Sequence, residues 1–317
     1  MNKMDRAIRL AMTQCLAIKP NETVLVITDQ SNQECGQLFY RGARMLGNDA
    51  VLMVMPERGN NGQEPPDEVA AALRASRVAF LATTKSLSHT RSRKEASRAG
   101  CRIASMPGIT REMITRALDI DYRAMEVRGR RISDRLKGAS QVRITTSLGT
   151  DLTFSVRGRP AEIDSGIIHL PGGFTNLPAG EVYLAPVEGT ANGRLVVDGA
   201  IGNSGILKKP IAIAILDGYA VGVEGGRAAQ ALWEMLSRHG RAAYNVAEFG
   251  IGINPRAVVT GNILEDEKAL GTIHIAFGDK SGFGGRVSVP SHQDGIVSRP
   301  SVWADGHRLM ADGQLLL

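Results

Sequence analysis

The first third of the chain alternates short apolar runs with segments of helical periodicity. The runs at 23–29, 49–56, 78–84 and 101–108 have the length of buried strands, and residues that suit helix caps follow them. Buried strands that alternate with helices predict a parallel sheet with right-handed crossovers. We therefore predict an α/β N-terminal domain with an open parallel sheet over residues 1–137.

From residue 138 onward the pattern changes to short, Gly-rich strands. The segment "QVRITTSLGTDLTFSV" alternates apolar and polar positions around a Gly-Thr-Asp turn, which is typical of a β-hairpin. Further strand-like runs follow, and one strongly helical segment at 227–240 interrupts them. We predict a mostly β, α+β catalytic domain over residues 138–317.

Length and composition limit the number of domains and the cellular environment that we expect for the protein. A length of 317 residues predicts two domains, and 43% apolar residues are enough to form their cores. No apolar run reaches the roughly 18 residues of a membrane helix. Cys15, Cys35 and Cys101 form no CxxC pair, which disfavours a disulfide framework or a thiolate zinc site. We expect a cytoplasmic protein with no membrane partner, whose N-terminus is an amphipathic helix and not a secretory signal.

The net charge of +6 raises the question of nucleic-acid binding. Basic residues cluster at 90–102 and 126–137, but no aromatic residues are interleaved with them. Solvated helix faces and a domain linker explain these runs, so we expect no nucleic-acid partner. No GxGxxG follows the first strand and no GxxxxGK(S/T) occurs in the chain, which argues against a nucleotide cofactor.

A candidate metal site lies in the last sixty residues. His292 and Asp294 are two positions apart, so in an extended strand they point to the same face. They suit zinc, cobalt or manganese, although a capped surface turn would also explain the pair. His274 lies on an apolar strand, and carboxylates at 265–267 precede it. A buried carboxylate cluster repels itself unless a cation neutralises it, which favours a metal.

Two glutamates stand in apolar surroundings. Glu181 begins an apolar strand after a Pro/Gly turn, and Glu248 is the only charge in a Gly-rich apolar run. Burial of a carboxylate is costly unless it is paired or bound to a metal, although each glutamate could instead lie at an edge or in a turn. With His274, His292 and Asp294, these glutamates provide enough donors for two adjacent metal ions.

Several segments, in this order along the chain, resemble those of the M29 metallopeptidases, the family of aminopeptidases T and S and of thermophilic leucyl aminopeptidase. The likeness runs from about residue 85 to residue 296. It implies an N-terminal α/β domain, a catalytic domain with two divalent metals, and a homodimer. The segments are "HTRSRKEASRAGCRIASMPGIT", "GTDLTF", "NLPAGEVYLAP", "GIGINP", "ILEDEKALGTIHIAFG" and "HQDGI".

The resemblance implies a role for each candidate residue. Glu181 and Glu248 would be carboxylate ligands, and one of them would be the catalytic base. His274 would be a ligand from the strand after "EDEK", and His292 and Asp294 would complete the two sites. The family has a further carboxylate before the first histidine. Glu267 is the nearest candidate, but it precedes His274 by seven residues, which is longer than the usual spacing in the family.

Two departures from the family pattern concern the handling of substrate. The family has a tyrosine seven residues after the first histidine, and here that position is Ser281, so Tyr183 or Tyr244 would have to supply the phenol. The link from His274 to His292 is also shorter than usual, at 18 residues. The metal ligands are therefore kept while the residues around the substrate differ.

Three functions follow, of which the first is a metal-dependent aminopeptidase. Two divalent ions, zinc, cobalt or manganese, would bind a peptide or small amide and activate water. Apolar walls formed by Phe249, Ile251 and Phe283 would suit Leu-like side chains, and the pairing of Glu248 with His274 favours this hydrolase.

The second function is that of the ring-opening dihydroxypyridine dioxygenases, which share the fold. These enzymes use one Fe(II) ion in a site of two histidines and one carboxylate, which His274, His292 and Asp294 could supply. The third is a non-catalytic, metal-stabilised binding protein derived from the same fold. Metal content separates the first two, because the peptidase needs two ions and the dioxygenase needs one iron.

Overall fold

The computed structural model describes residues 1–202, 204–280, 282 and 284–317 of the chain. The chain divides into two compact units, which are Met1–Arg123 with Asp164–Ala179, and Ala124–Ile163 with Gly180–Leu317. The division after residue 137 that the sequence suggests stays a prediction. Among the described residues, every helix is too short or too polar to cross a lipid bilayer.

Eight α-helices lie in the described part of the chain. They are α1 (Lys3–Leu10), α2 (Gln33–Met45), α3 (Asp67–Ala75), α4 (Arg91–Arg98), α5 (Arg111–Ala117), α6 (Tyr122–Lys137), α7 (Arg227–Ser237) and α8 (Ile263–Asp266). A π-helical turn at Ala11–Cys15 continues α1, and short 3-10 helices occur at Gln30–Asn32 and Arg241–Tyr244. The two basic runs of the sequence form α4 and most of α6.

Eighteen strands complete the described secondary structure. The first nine are β1 (Val24–Asp29), β2 (Ala50–Met55), β3 (Val78–Ala82), β4 (Arg102–Ser105), β5 (Gln141–Thr145), β6 (Asp151–Ser155), β7 (Glu162–Asp164), β8 (Phe174–Asn176) and β9 (Glu181–Leu184). The others are β10 (Asn192–Val197), β11 (Ile211–Leu216), β12 (Tyr219–Glu224), β13 (Val246–Gly252), β14 (Thr272–Gly278), β15 (His292–Ser298), β16 (Ser301–Ala304), β17 (His307–Ala311) and β18 (Gln314–Leu315).

The first unit is built around a parallel sheet with the strand order β2-β1-β3-β4-β8. Strands β1 and β3 are buried along their whole length, as their uninterrupted apolar sequences predict. The core packs Ile27, Leu81 and Ile103 against the helix residue Leu73. The last strand of the sheet, β8, follows β4 only after some seventy intervening residues, and the sequence pattern did not show it. Cys15, Cys35 and Cys101 are all buried and unpaired.

The second unit contains two further sheets. An eight-stranded sheet has the order β12-β11-β10-β6-β5-β16-β17-β18, and β5 and β6 form the antiparallel hairpin that the alternation at 141–156 predicts. A five-stranded sheet has the order β15-β14-β13-β9-β7. The fold therefore combines a parallel sheet with antiparallel sheets, and the predicted α/β and α+β architecture is confirmed.

Candidate metal centre

One face of the five-stranded sheet gathers the predicted ligands. Across the ladder, Glu248 pairs with Ala276 and Ala276 pairs with Asp294, so the two carboxylates share a face. His274 lies on the same face, two residues before Ala276, and His292 lies two residues before Asp294. Glu181 joins them from β9. All five predicted ligands, from four strands and more than a hundred residues of chain, therefore meet on one face.

Glu248 stands at the centre of this cluster, between the two imidazoles. Its Oε1 atom is 3.3 Å from Nε2 of His274, and its Oε2 atom is 3.4 Å from Nε2 of His292. Nε2 of His292 is also 3.3 Å from Oδ1 of Asp294, and Nε2 of His274 is 3.5 Å from Oε2 of Glu181. Both histidines thus direct the same ring nitrogen towards carboxylate oxygens.

A hydrogen bond to the ring nitrogen that does not face the carboxylates fixes the orientation of His292. Its Nδ1 atom lies 2.8 Å from the main-chain carbonyl of Asp279, so Nδ1 carries the proton and donates it there. Nε2 is then the atom left to face the carboxylates. A metal-binding histidine commonly donates its second N–H in this way, because the bond fixes both the tautomer and the ring orientation.

Burial and charge act against each other on the titratable groups. Burial lowers the pKa of His274, but its hydrogen bond with Glu248 and the charges of Glu181 and Glu248 outweigh burial and raise the pKa to about 9. In the same way, Asp294 and Glu248 raise the pKa of His292 well above its ordinary value against desolvation. Burial raises the pKa of Glu248, yet the two imidazoles hold it well below its usual range. The carboxylates therefore stabilise the protonated, positively charged forms of both histidines.

Lys268 is a member of the cluster that sequence reasoning missed. Its side chain is 1% exposed, and Nζ donates to Oε1 of Glu181 at 2.6 Å and also to Oε1 of Glu267. In the sequence this lysine is the last residue of the charged segment "EDEK", directly after the candidate ligand Glu267. A signal was nevertheless present, because a lysine adjacent to a buried carboxylate is the simplest partner for it.

The acidic run 265–267 does not act as a unit. Only Glu267 reaches the cluster, where burial, Glu181 and Asp294 raise its pKa to about 8 against the opposing charge of Lys268. Asp266 instead accepts hydrogen bonds from the main-chain N–H groups of Thr260 and Gly261, so it holds the preceding loop.

The donor set fits a metal ion. Three groups among the described residues bring one ligand atom from each member within 4.8 Å of the others. The imidazole of His274 lies over Gly250, in the space that a side chain at position 250 would occupy. Nδ1 of His274 is buried with no hydrogen-bond partner among the described residues. The groups are Glu181, Glu248 and His274; Glu248, His292 and Asp294; and Glu267, His274 and Asp294.

The residues predicted to contact substrate are arranged differently from the expectation. Phe249 and Ile251 are buried on the opposite face of β13, where Phe249 packs against Phe154 with ring centroids 5.3 Å apart. They therefore do not line the metal cluster. Ser281 and Phe283 lie outside the described residues.

The two tyrosines considered as replacements for the missing phenol also differ in position. Tyr183 pairs with Gly250, on the face that carries the ligands. Tyr244 instead meets Trp233 edge-on, with ring centroids 4.7 Å apart. Only Tyr183 of these two is therefore placed on the ligand face.

Comparison with known proteins gives one family for the whole chain. The sequence model of the family described as "NicX: 2,5-dihydroxypyridine 5,6-dioxygenase" matches residues 3–317. A curated 2,5-dihydroxypyridine 5,6-dioxygenase from Pseudomonas putida is 24% identical over 196 residues, which cover 57% of this chain and 55% of the relative. The matched region thus spans about half the length of that relative.

Solved structures show the same fold. The 2,5-dihydroxypyridine dioxygenase from Pseudomonas putida KT2440 is similar with a TM-score of 0.85 and 18% identity, over 100% of this chain and 98% of that one. Wild-type AmpT from Thermus thermophilus is similar with a TM-score of 0.68 and 18% identity, over 99% of each chain. At these identities the likeness concerns the fold alone.

These findings correct the prediction of a metalloprotease. The family model and the curated relative both name a dioxygenase, so the assignments as an aminopeptidase and a hydrolase are wrong. The likeness to the M29 family holds for the fold. The prediction failed because the pairing of Glu248 with His274 does not distinguish the two classes of enzyme: this chain has the pair and matches the dioxygenase family. What the family and the donor groups support together is a divalent-metal site.

Proposed function

Because the chain belongs to the NicX family of 2,5-dihydroxypyridine 5,6-dioxygenases, we propose that it is an Fe(II)-dependent dioxygenase that opens a dihydroxypyridine ring. The substrate class comes from the name of the family and of the curated relative. The reaction would insert both atoms of one oxygen molecule at the ring bond that breaks. The homodimer and the cytoplasmic location expected from the sequence stay predictions.

We assign the iron to His274, His292 and Asp294, a set of two histidines and one carboxylate that leaves coordination positions for substrate and oxygen. None of the three donor groups found among the described residues contains both histidines, but Asp294 and Glu248 are each grouped with both. An ion shared by the two imidazoles would therefore lie beside these carboxylates. When bound, Fe(II) supplies open coordination positions and the redox chemistry that oxygen requires.

The observation that carries this proposal over a two-metal site is the ammonium of Lys268. It lies 2.6 Å from Glu181 and also contacts Glu267, so a cation of the chain itself is already the partner of both acidic groups. A second divalent ion would have to share them with a buried ammonium, and two cations that close repel strongly in a site of low dielectric. The remaining donors are sufficient for one ion.

The other residues of the cluster orient ligands and handle protons. The carbonyl of Asp279 holds the Nδ1 proton of His292 and keeps Nε2 directed at the site. When both Nε2 atoms serve as ligands they no longer donate to Glu248. Its carboxylate is then available to accept the proton of a substrate hydroxyl. In the metal-free protein Glu267, whose pKa is raised to about 8, would hold a proton near Asp294 at neutral pH.

The proposal is tested with protein that carries one equivalent of Fe(II). It is mixed with 2,5-dihydroxypyridine under ¹⁸O₂, and oxygen uptake and product mass are measured. We expect one oxygen molecule consumed per substrate, a ring-opened product that contains two ¹⁸O atoms, and no reaction without oxygen.

A pair of histidine variants provides the control for this test. His274→Ala should abolish turnover and iron retention, whereas His239→Ala, which alters an exposed histidine after α7, should leave both unchanged. Iron-loaded protein that leaves dihydroxypyridine intact and consumes no oxygen would refute the assignment.

A further inference from the structure

Strand β13 carries a bulge immediately before Glu248. Val246 pairs with Phe277 while Glu248 pairs with Ala276, so two residues of β13 advance against one of β14. Regular pairing from Val246 would place Glu248 opposite Ile275, on the apolar face of the sheet. The extra residue moves the carboxylate to the face that carries the metal cluster. The position of Glu248 therefore depends on this bulge.

A buried lysine binds the main chain at the bulge. Lys280 is fully buried, and its Nζ atom donates to the carbonyl of Val246 at 3.3 Å and to the carbonyl of Pro186 at 3.1 Å. Nζ also lies 3.5 Å from Oε1 of Glu188. One ammonium thus connects the start of β13 to the segment that follows β9. Lys280 is not itself one of the proposed metal ligands, and it takes no part in the chemistry proposed above.

The charge of Lys280 has a fixed partner. Burial lowers the pKa of Lys280, and Glu188 opposes that change. Glu188 also accepts a hydrogen bond from Arg159 and one from the main-chain N–H of Arg286 at 2.9 Å. Burial raises the pKa of Glu188, but these contacts and the nearby positive charges bring it to about 2. Glu188 is therefore ionised at neutral pH and provides the counter-charge of Lys280.

The residue next to Lys280 holds a ligand. The carbonyl of Asp279 accepts the Nδ1 proton of His292, and the N–H of Asp279 donates to the carbonyl of Ser291 at 2.7 Å. Because Asp279 and Lys280 share a peptide unit, a lysine that is anchored inside the protein also fixes the position of this carbonyl.

We propose that Lys280 is a positioning residue of the metal site, which holds the bulge that presents Glu248 and the peptide that fixes the tautomer of His292. The proposal rests on the proposed function only in taking His292 and Glu248 as part of a metal site. It requires no particular substrate. Loss of the ammonium should loosen two donors on different strands at once. A measurement of metal affinity should therefore detect the effect without any assay of turnover.

The test uses the full-length protein with Co(II), whose visible absorption reports the ligand geometry. We expect Lys280→Met to weaken Co(II) binding at least tenfold and to change the absorption bands. With Zn(II) in place of Co(II), histidine ¹⁵N NMR should show that His292 loses its fixed Nδ1–H tautomer. Lys280→Arg, which keeps a cation that can donate to the same carbonyls, should recover at least part of the affinity.

A second buried ion pair supplies the control. Arg102 is 6% exposed and contacts Glu22 at 2.6 Å, so Arg102→Met removes a buried cation without touching the second unit. This variant should lose thermal stability while its Co(II) affinity and spectrum stay unchanged. A folded Lys280→Met protein with normal affinity and spectrum would overturn the proposal.

A milder variant is decisive if Lys280→Met does not fold. Glu188→Gln removes the counter-charge of Lys280 and should shift Co(II) affinity and the His292 tautomer in the same direction by a smaller factor. Unchanged binding and tautomer in Glu188→Gln would count against the proposal. Because Co(II) binding needs no dihydroxypyridine, failure of the oxygenase assay and failure of this test are separate results.

Discussion

Gly250 stands directly opposite His274 across β13 and β14, and the imidazole occupies the space above the glycine. A Cβ atom at Gly250 would lie 2.0 Å from Cε1 and 2.2 Å from Nε2 of His274. The φ angle of Gly250 is not in the left-handed region, so the backbone does not require glycine here. Glycine is required at this position because the imidazole of His274 fills the space of a side chain.

Gly250→Ala should therefore displace His274 and weaken metal binding by about 10- to 100-fold, the range typical for residues that orient a ligand. The measurement is a titration of the metal-free protein with Zn(II) or Co(II). Gly222→Ala in β12 is the matched control, because its new methyl group meets nothing closer than Ala214 at 4.0 Å. Equal affinities for the two variants would contradict the role assigned to Gly250.

Lys268→Met should change the metal stoichiometry. Without the ammonium, Glu181 and Glu267 lose their buried partner, and removal of one member of such a pair costs about 3–5 kcal/mol. We expect lower stability of the metal-free protein and a second equivalent of bound Zn(II), measured by elemental analysis after dialysis. Lys208→Met, at an exposed position, should bind one equivalent, the number that we expect for the parent protein. A Lys268→Met protein that still binds one ion would remove the main support for the one-iron assignment.

The metal-free protein should lose stability as pH rises from about 6.5 to about 9. The pKa of His274 is raised from 6.5 to about 9 in the folded state. Its protonated form therefore stabilises the fold fully below pH 6.5, and the contribution disappears as the pH passes through 9. One proton on His274 should contribute about 1.4 kcal/mol per pH unit to the slope. Chemical denaturation with a chelator present measures the slope, and His274→Ala should reduce it by that amount.

Tyr183→Phe should impair turnover more than metal binding. Tyr183 pairs with Gly250 on the face that carries the candidate ligands, so under the proposed function we expect its phenol to donate to a substrate hydroxyl. Loss of such a hydrogen bond should lower kcat/KM for 2,5-dihydroxypyridine by about 10-fold. Tyr244→Phe should have no effect on kcat/KM, because Tyr244 packs against Trp233. Steady-state kinetics on both variants decide the question, and equal kcat/KM values would exclude a role of Tyr183.

Much of the first unit could be predicted from the sequence, because buried parallel strands are uninterrupted apolar runs. Strand β1 is buried at all six positions, and α2 ends just before Gly47, whose φ angle is 85°. Strand β8 could not be predicted in the same way. Its three residues, "FTN", form no apolar run, and it enters the parallel sheet beside β4 from a distant part of the chain.

The members of the cluster could be found because a charge on an apolar strand is costly unless it has a partner. The number of ions that we propose could not be inferred, since the proposal depends on Lys268, which lies 87 residues from Glu181 in the chain and next to it in the fold. The bulge before Glu248 could not be predicted from the sequence either, because it is defined by the register between β13 and β14. The donor types alone suit either a peptidase or a dioxygenase.

The burial of the three cysteines has a consequence for the proposed reaction with oxygen. Burial raises the pKa of Cys101 to about 12 and that of Cys35 to about 11, and it raises that of Cys15 further. Peroxide released near ferrous iron attacks thiolates, and these side chains are neither ionised nor accessible. Damage in air should therefore fall on the iron itself, and a reductant with fresh ferrous salt should revive aged protein.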